Sequence, residues 1–511
     1  MKMGDADVST PLQPGAVPHG RLTGSLAFAV FAVTLSSFQF GYHIGCINAP
    51  GELITEFFVT SHRSMFDKTL TKEKVDLLWS VAVSMFAVGG MIGGLLSGAS
   101  ADKFGRKGAL LYNNLFAFLA AALLALAKMA NAYPMIIIGR FVIGLNCGLA
   151  SGLVPMYLTE ISPVNLRGTL GSIHQLLVTI AILVSQIFGL PYLLGTDKLW
   201  PLIFAFTVVP AVLQLATLTL NPESPKFSLV VRNERERAEA ALKKLRGTDD
   251  VSAELAQIQA EAEAVQSVPK VSMKDMFGAA LRWPLSIAVM MMLSQQLSGI
   301  NVAMFYSTVI FKGAGLTTEA AVYATIGMGA VNVIMTVISV YLVDHPKFGR
   351  RILHLVGLAG MLVSSLLIVL SLTIFKMGEP KVLGAENAYQ WASYLAIAFV
   401  LLFVISFATG PGAIPWFFVS EIFASGARGN ANSIAVMVNW MANLLVGLTF
   451  LPINNAIHQY SFLIFSAFLA IFIFYTAKFV PETKGRTVEE ITQEFIDQGR
   501  VPAKTEEHEM N

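Results

Sequence analysis

The sequence predicts an all-α membrane protein: twelve transmembrane helices arranged as two parallel six-helix repeats, with short cytosolic helices. Three observations predict it. The 511 residues are 55% hydrophobic and 13% charged, where a soluble domain carries roughly 25% charged residues. Twelve apolar segments each reach the roughly 20 residues that a helix needs to cross the hydrocarbon core. Charged motifs also recur at matching places in the two halves of the chain. The net charge of +2 gathers no nucleic acid or other polyanion. Two cysteines, Cys46 and Cys147, build neither a disulfide framework nor a metal site.

Residues 1–21 are polar, lack a signal-peptide layout and read as a cytosolic tail. A first six-helix bundle covers 22–220, with spans near 22–42, 77–99, 108–127, 133–157, 170–193 and 199–220. The segment 221–282 reads as a cytosolic linker. Its run Arg232-Asn233-Glu234-Arg235-Glu236-Arg237, followed by Ala, Leu, Lys and Glu, has the pattern of amphipathic helices under the membrane. A second bundle covers 283–480, with spans near 283–311, 320–343, 352–375, 391–419, 431–450 and 461–480, and 481–511 forms a cytosolic C-tail. The spans are helices, because lipid admits only helices or closed barrels and these segments are twice the length of barrel strands. Roughly three-quarters of the 35 Lys and Arg fall on the side that holds both termini, which places those termini in the cytosol and the chain in the cell membrane as a multi-pass protein.

The repeat shows in pairs of motifs. Asp102-Lys103-Phe104-Gly105-Arg106-Lys107 follows span 2, and Lys347-Phe348-Gly349-Arg350-Arg351 follows span 8. Glu160 precedes Arg167-Gly168 after span 4, and Glu421 precedes Arg428-Gly429 at the same spacing after span 10. Six spans per half is an even number, so the repeats enter the membrane in the same sense.

No Asp or Glu falls in the middle of any span. Ion-coupled carriers usually keep one there, because a carboxylate at that depth is costly unless used. The spans instead carry amides and hydroxyls at helical spacing: Gln175, Thr179 and Gln186; Thr325, Asn332, Thr336 and Ser339; Asn432, Asn439 and Asn443. An amide both donates and accepts, which suits a neutral polyol. One such stripe is more often interhelical glue; several together point to a polar cavity. Span 7 holds Gln295, Gln296, Ser298 and Asn301 around Gly299. On an unbroken helix Gln296 and Asn301 stand about 140° apart, so facing one ligand together requires a break near Gly299. Span 10 has its own break at Gly410, Pro411, Gly412 and Pro415, either a static kink or a hinge.

Landmarks along residues 20–490 identify a family resemblance: Gly105-Arg106-Lys107, Gly139-Arg140, Pro222-Glu223-Ser224-Pro225-Lys226-Phe227, Gln295-Gln296-Leu297-Ser298-Gly299-Ile300-Asn301, Gly410-Pro411-Gly412, Ile414-Pro415-Trp416 and Pro481-Glu482-Thr483-Lys484-Gly485-Arg486. The chain resembles the sugar porters of the major facilitator superfamily and, among them, the animal facilitative hexose transporters. The resemblance implies a uniporter of hexoses, D-glucose first and fructose second, working by alternating access. It implies sugar contacts at Gln175, Gln295, Gln296, Asn301, Asn332, Trp416 and Asn439, with Trp416 offering an aromatic face. It further implies a gating network of Asp102, Arg106, Glu160, Arg167, Arg350, Arg351, Glu421 and Arg428, whose salt bridges form when the protein faces outward.

The implied partners are a small-molecule hexose and the lipid bilayer, with no cofactor, metal, nucleic acid or nucleotide hydrolysis. Gly89-Gly90-Met91-Ile92-Gly93-Gly94 reads as close helix packing and not as a phosphate loop. Some residues depart from the family's pattern. Ala408 stands where a Glu is usual, removing a sugar acceptor and leaving room for a fructose preference. His43 stands where facilitators have Asn and proton-coupled members Asp, at a position read as the pore mouth; it keeps a proton symporter open as the alternative. The loop at Asp344-His345-Pro346-Lys347 is two residues longer than its counterpart. Against an enzyme stands the lack of a His/Asp/Glu constellation at membrane depth; against a sensor, the shortness of the C-tail.

Overall fold

A computed structural model describes residues 20–502, apart from 268–270, 346, 380–386 and 487. Most of the N-tail and the end of the C-tail lie outside those residues. All regular elements described are helical. The first half comprises α1 (Gly24–Gly45), α2 (Gly51–Phe66), α3 (Lys72–Leu126), α4 (Pro134–Ile161), α5 (Arg167–Phe188), α6 (Trp200–Ala205) and α7 (Val208–Leu218). The linker holds α8 (Arg235–Arg246) and α9 (Ser252–Ser267). The second half comprises α10 (Arg282–Gln296), α11 (Ile300–Gly313), α12 (Thr318–Asp344), α13 (Arg350–Met377), α14 (Gln390–Thr409), α15 (Ile414–Ile422), α16 (Ser425–Ile457) and α17 (Ser461–Phe479), followed by α18 (Val488–Asp497).

Twelve passes arise from ten apolar helical stretches, because two stretches carry two passes each. Straight, the 55 residues of α3 would run about 80 Å, more than twice the bilayer. The chain turns at Gly105, with φ 80° and ψ 169°, so α3 is two limbs. The stretch Gly426–Phe479 likewise bends at His458, with φ 49°. Three other passes are broken helices: α6–α7, α10–α11 and α14–α15.

Glycine sets how closely α3 and α4 cross. A Cβ on Gly89 would stand 2.1 Å from the Phe141 carbonyl oxygen, and one on Gly144 only 2.2 Å from that of Phe86. The two backbones touch there, as expected of small residues at membrane helix interfaces.

The described ends and the linker gather at one face, here the termini face. The Thr23 hydroxyl donates to the Leu245 carbonyl at 2.6 Å, and Arg246 pairs with Glu254 while donating to the Ile161 carbonyl at 2.8 Å. The apolar packing then divides by depth. Toward the far face, one cluster joins both halves, with Tyr42, Trp79 and Phe204 from the first and Phe311, Phe403 and Phe450 from the second. At middle depth, Phe86 and Ile143 meet Trp440. Toward the termini face the clusters separate: Leu153, Tyr157 and Leu245 belong to the first half and linker, Phe418, Phe423 and Phe495 to the second half and α18. Among the described residues, apolar packing between the halves is found at the far face and at middle depth, not at the termini face.

Two short helices lie outside the sequence expectations. α2 sits in the far-face loop between the first two passes and buries Ile54, Phe57 and Phe58; α18 buries Ile491 and Phe495.

Gly144→Ala is expected to cost about 1–3 kcal/mol of stability through overpacking, read as a lower melting temperature in detergent. An unchanged value would show that the α3–α4 crossing has slack.

Candidate functional site

The break at Gly299 organises the site. Gly299 takes φ 93° and ψ 9°, a left-handed conformation that costs glycine little. α10 therefore ends at Gln296 and α11 begins afresh at Ile300. This reorientation brings Asn301 to Gln296, whose Oε1 accepts its Nδ2 hydrogen bond. Gln296 Nε2 donates to Gln295 Oε1 at 3.1 Å and to Asn439 Oδ1 at 3.0 Å. Asn439 Nδ2 returns a bond to Gln295 Oε1 at 2.6 Å. Gln295 Nε2 donates to the carbonyls of Pro411 and Gly412, at 3.2 and 2.8 Å. Those carbonyls belong to the non-helical break between α14 and α15, where Gly410 has φ −149° and ψ −60°. Three helices and the α14–α15 break thus converge on one network of four buried amides, with no carboxylate in it.

The remaining sequence-predicted contacts lie on other elements and share no described hydrogen bond with the network. Asn332 is buried on α12, Gln175 is half-buried on α5, and Trp416 is half-buried on α15, against the cluster that includes Ile414 and Met292. Trp440, next to Asn439, was not singled out in the sequence. It is 3% exposed, its indole nitrogen has no partner, and a Cβ on Gly90 would lie 2.6 Å from its ring. Trp440 therefore spans the seam between the halves beside the amides; its adjacency to Asn439 and the glycine opposite are the signals that could have found it. Buried amides elsewhere act as glue: Gln39, Asn114 and Gln214 tie α1, α3 and α7 together.

His43 does not sit at a pore mouth. It is fully buried, its Nε2 is 2.7 Å from the Thr207 hydroxyl, and its carbonyl accepts Arg140 Nη1 at 2.9 Å. Arg140 lies over the Phe86 ring at 4.5 Å and contacts the backbone, not the side chain, of His43.

At the termini face the repeat becomes a pair of equivalent modules. In the first, Arg106 grips Glu160 through Nε at 2.8 Å and Nη2 at 2.9 Å, while exposed Asp102 stands 3.7 Å away. Ser224 donates to the same Glu160, and Glu223 accepts the backbone N–H groups of Arg106 and Lys107 at 3.0 Å. In the second, Arg350 approaches Glu421 at 3.4 Å, Thr483 donates to Glu421, and Glu482 accepts the backbone N–H groups of Arg350 and Arg351 at 2.8 and 3.1 Å. A carboxylate at these helix starts takes up the otherwise free N–H groups and favours the helix dipole. Glu223, Ser224, Glu482 and Thr483 were landmarks in the sequence without an assigned role; their signal was the repeated Pro-Glu-[Ser/Thr] after the sixth and twelfth passes.

The gating residues were expected to form their salt bridges only when the protein faces outward. In this conformation the arginine–carboxylate pairs described at the termini face join residues of the same half or of the linker. Arg428 donates to the Phe423 carbonyl at 3.2 Å, and Arg351 reaches the Ala477 carbonyl. Arg106–Asp102, Arg106–Glu160 and Arg350–Glu421 are nevertheless paired here, because each joins residues of one half. The side chains of Arg167 and Asp344 lie outside the described residues.

Comparison with known proteins follows this geometry. Residues 28–495 match the Sugar (and other) transporter family. The chain is 70% identical to facilitated glucose transporter protein 1 of Caenorhabditis elegans, over 95% of this chain and 94% of that protein. It is 44% identical to solute carrier family 2, facilitated glucose transporter member 3 of Canis lupus familiaris, over 94% of each. Among solved structures, the partially occluded inward open conformation of the xylose transporter XylE from E. coli superposes with a TM-score of 0.74 at 27% identity, covering 91% of this chain and all of that one. The XylE proton:xylose symporter bound to 6-bromo-6-deoxy-D-glucose gives 0.74 at 28% identity, covering 93% and 99%.

Glu160→Ala is expected to cost about 3 kcal/mol, because it leaves the largely buried Arg106 guanidinium without its anion. Asp102→Asn, at an exposed partner, should leave the melting temperature within error. Equal shifts in the two variants would contradict that ranking.

Proposed function

The chain belongs to the Sugar (and other) transporter family, whose members are carriers and not enzymes, and from that premise we propose a facilitative uniporter of hexoses, D-glucose first. The observation that carries this reading is the carboxylate-free amide network where α10, α11, α16 and the α14–α15 break meet, in a chain 70% identical to a protein named as a facilitated glucose transporter. Each sugar hydroxyl donates and accepts, as each amide does, so the site matches a neutral polyol without a counter-ion. Gln295, Gln296, Asn301 and Asn439 hold the sugar, while Gln175, Asn332 and Trp416 complete the site from α5, α12 and α15. The symporter alternative loses its support, since His43 is sealed inside the first half with Thr207 as partner.

The chain spans the plasma membrane with both termini in the cytosol, following its Lys and Arg distribution. In that orientation the far face is extracellular and the conformation faces inward. Alternating access proceeds by rocking of the two six-pass halves, with domain limits near 22–220 and 283–480 and the linker between them. Gly299, Gly410, Pro411, Gly412 and Pro415 serve as hinges. When the cytosolic face closes, Glu160 and Arg167 meet Glu421 and Arg428, and Asp102, Arg106, Arg350 and Arg351 complete a network that balances the outward state. Individual pairs are worth about 0–1 kcal/mol, enough collectively to shift states that differ by a few.

In sealed liposomes, radiolabelled D-glucose should equilibrate without accumulating, with or without a pH gradient; accumulation driven by the gradient would overturn uniport. D-fructose competition in the same assay tests the consequence of Ala408. Gln296→Ala should raise the half-saturation concentration about tenfold, the effect of about one to two lost hydrogen bonds, with expression retained. Unchanged kinetics would remove α10 from the site.

A further inference from the structure

One helix that contributes no amide to the network lies directly behind it. Along one face, α13 backs the α14–α15 break. A Cβ on Gly357 would strike the Pro411 ring, and one on Gly360 the Ser406 hydroxyl. From the other side, a Cβ on Gly410 would strike the Leu353 carbonyl oxygen and lie 2.9 Å from the His354 backbone nitrogen. The start of α13 and the break are therefore in backbone contact, and glycines on both sides permit it.

His354 shares this stretch of α13 and is fully buried. Its Nε2 lies 3.0 Å from the Ser294 hydroxyl on α10, and that hydroxyl lies 2.7 Å from the Met291 carbonyl. A hydroxyl has one proton to give. Given to Met291, it leaves the imidazole to donate from Nε2, and only a lone pair on Nδ1 goes unused. Given to the imidazole, it leaves an N–H on Nδ1 instead, and an orphaned buried N–H is rarer than an orphaned acceptor. His354 Nδ1 has no partner among the described residues, so the count assigns the donor to Nε2. Ser294 directly precedes Gln295. Successive residues on a helix point about 100° apart, so holding Ser294 against α13 fixes the direction in which Gln295 leaves α10. Three contacts close a triangle. His354 joins α13 to α10, Gly357 and Gly410 join α13 to the break, and Gln295 joins α10 to the break.

We propose that His354 is a positioning residue of the amide site. Its Nε2–H tethers the Ser294 turn of α10 to α13. Gln295 thereby stays bridged to the Pro411 and Gly412 carbonyls, and its Oε1 stays aimed at Gln296 and Asn439. His354 itself touches no sugar. Because Ser294 keeps the Met291 carbonyl without the imidazole, the tether contributes geometry more than stability, and a binding site depends on geometry held to a fraction of an ångström. The proposal rests on the reading of the amide network as the sugar site.

Variants of the full chain separate positioning from packing. His354→Leu occupies similar space without a donor, His354→Gln places an amide donor at nearly the reach of Nε2, and a double variant adds Ser294→Ala to His354→Leu. In sealed liposomes, His354→Leu should raise the half-saturation concentration for D-glucose about three- to tenfold, the weight of one hydrogen bond. The maximal rate should stay within about twofold of the parent. His354→Gln should recover most of the affinity, and the double variant should match His354→Leu, since both partners act through one bond. Hydrogen exchange over residues 407–416, read by mass spectrometry without sugar, should be faster in His354→Leu and near parental in His354→Gln. Should His354→Leu not fold, Ser294→Ala alone decides by the same two readouts. A lowered maximal rate with half-saturation unchanged, a His354→Gln variant as impaired as His354→Leu, or unchanged exchange would each overturn the proposal. Faster exchange in His354→Leu beside a parent that carries no D-glucose would overturn the sugar reading and leave the tether standing.

Discussion

In the hydrocarbon core no water stands ready to satisfy a free N–H or C=O, so every departure from helix needs an internal partner. This constraint ties together the regions that matter here. Where the chain breaks between α14 and α15, Gln295 donates to the Pro411 and Gly412 carbonyls. Where α3 turns at Gly105, Glu223 accepts from Arg106 and Lys107. At the start of α13, Glu482 does the same for Arg350 and Arg351. At the bend of α11, Asn48 serves Met304 and Thr308. In each case a side chain from a distant segment stabilises a break, so the break is stable only while the two segments stay together. Places where the backbone can bend are thereby coupled to contacts between parts that can move.

The two kinds of partner differ in consequence. Glu223 and Glu482 cap helices within their own half, and Arg106–Glu160 and Arg350–Glu421 close the same modules. Such contacts make each half internally consistent. Asn48 reaches across the seam to α11 of the other half. The modules are equivalent but unequal in strength: Arg106 holds Glu160 with two short bonds, whereas Arg350 meets Glu421 at 3.4 Å.

The helical passes and their duplication were legible because hydropathy and motif spacing are local properties of sequence. The break near Gly299 was legible from geometry alone, since Gln296 and Asn301 point apart on an intact helix. Other features were not. α2 and α18 are short and amphipathic, and tertiary packing of Phe57, Phe58, Ile491 and Phe495 stabilises them more than propensity does. The capping role of Glu223 depends on residues 117 positions away, and nothing near it in sequence announces that partner. His43 was misplaced for the same reason: its neighbours Thr207 and Arg140 come from other passes. That Glu160 and Glu421 pair within their own halves depends on how the passes pack, which no local sequence pattern encodes.

The amide network has a further consequence for the sugar site proposed above. Gln295, Gln296, Asn301 and Asn439 are bonded to one another before any ligand arrives. A sugar bound there, as proposed, would exchange amide–amide bonds for amide–hydroxyl bonds of similar strength, so each would give a net gain of only about 0.5–1.5 kcal/mol. On the proposed reading the network provides a polar surface whose members can be satisfied with or without cargo. That property suits a carrier that must return empty. A carboxylate at the same depth would bind a hydroxyl more tightly, but left empty it would face the cost of an unpaired buried charge. Neutral amides avoid that cost in both states, and with no charge to neutralise, movement through the site needs no ion to accompany it.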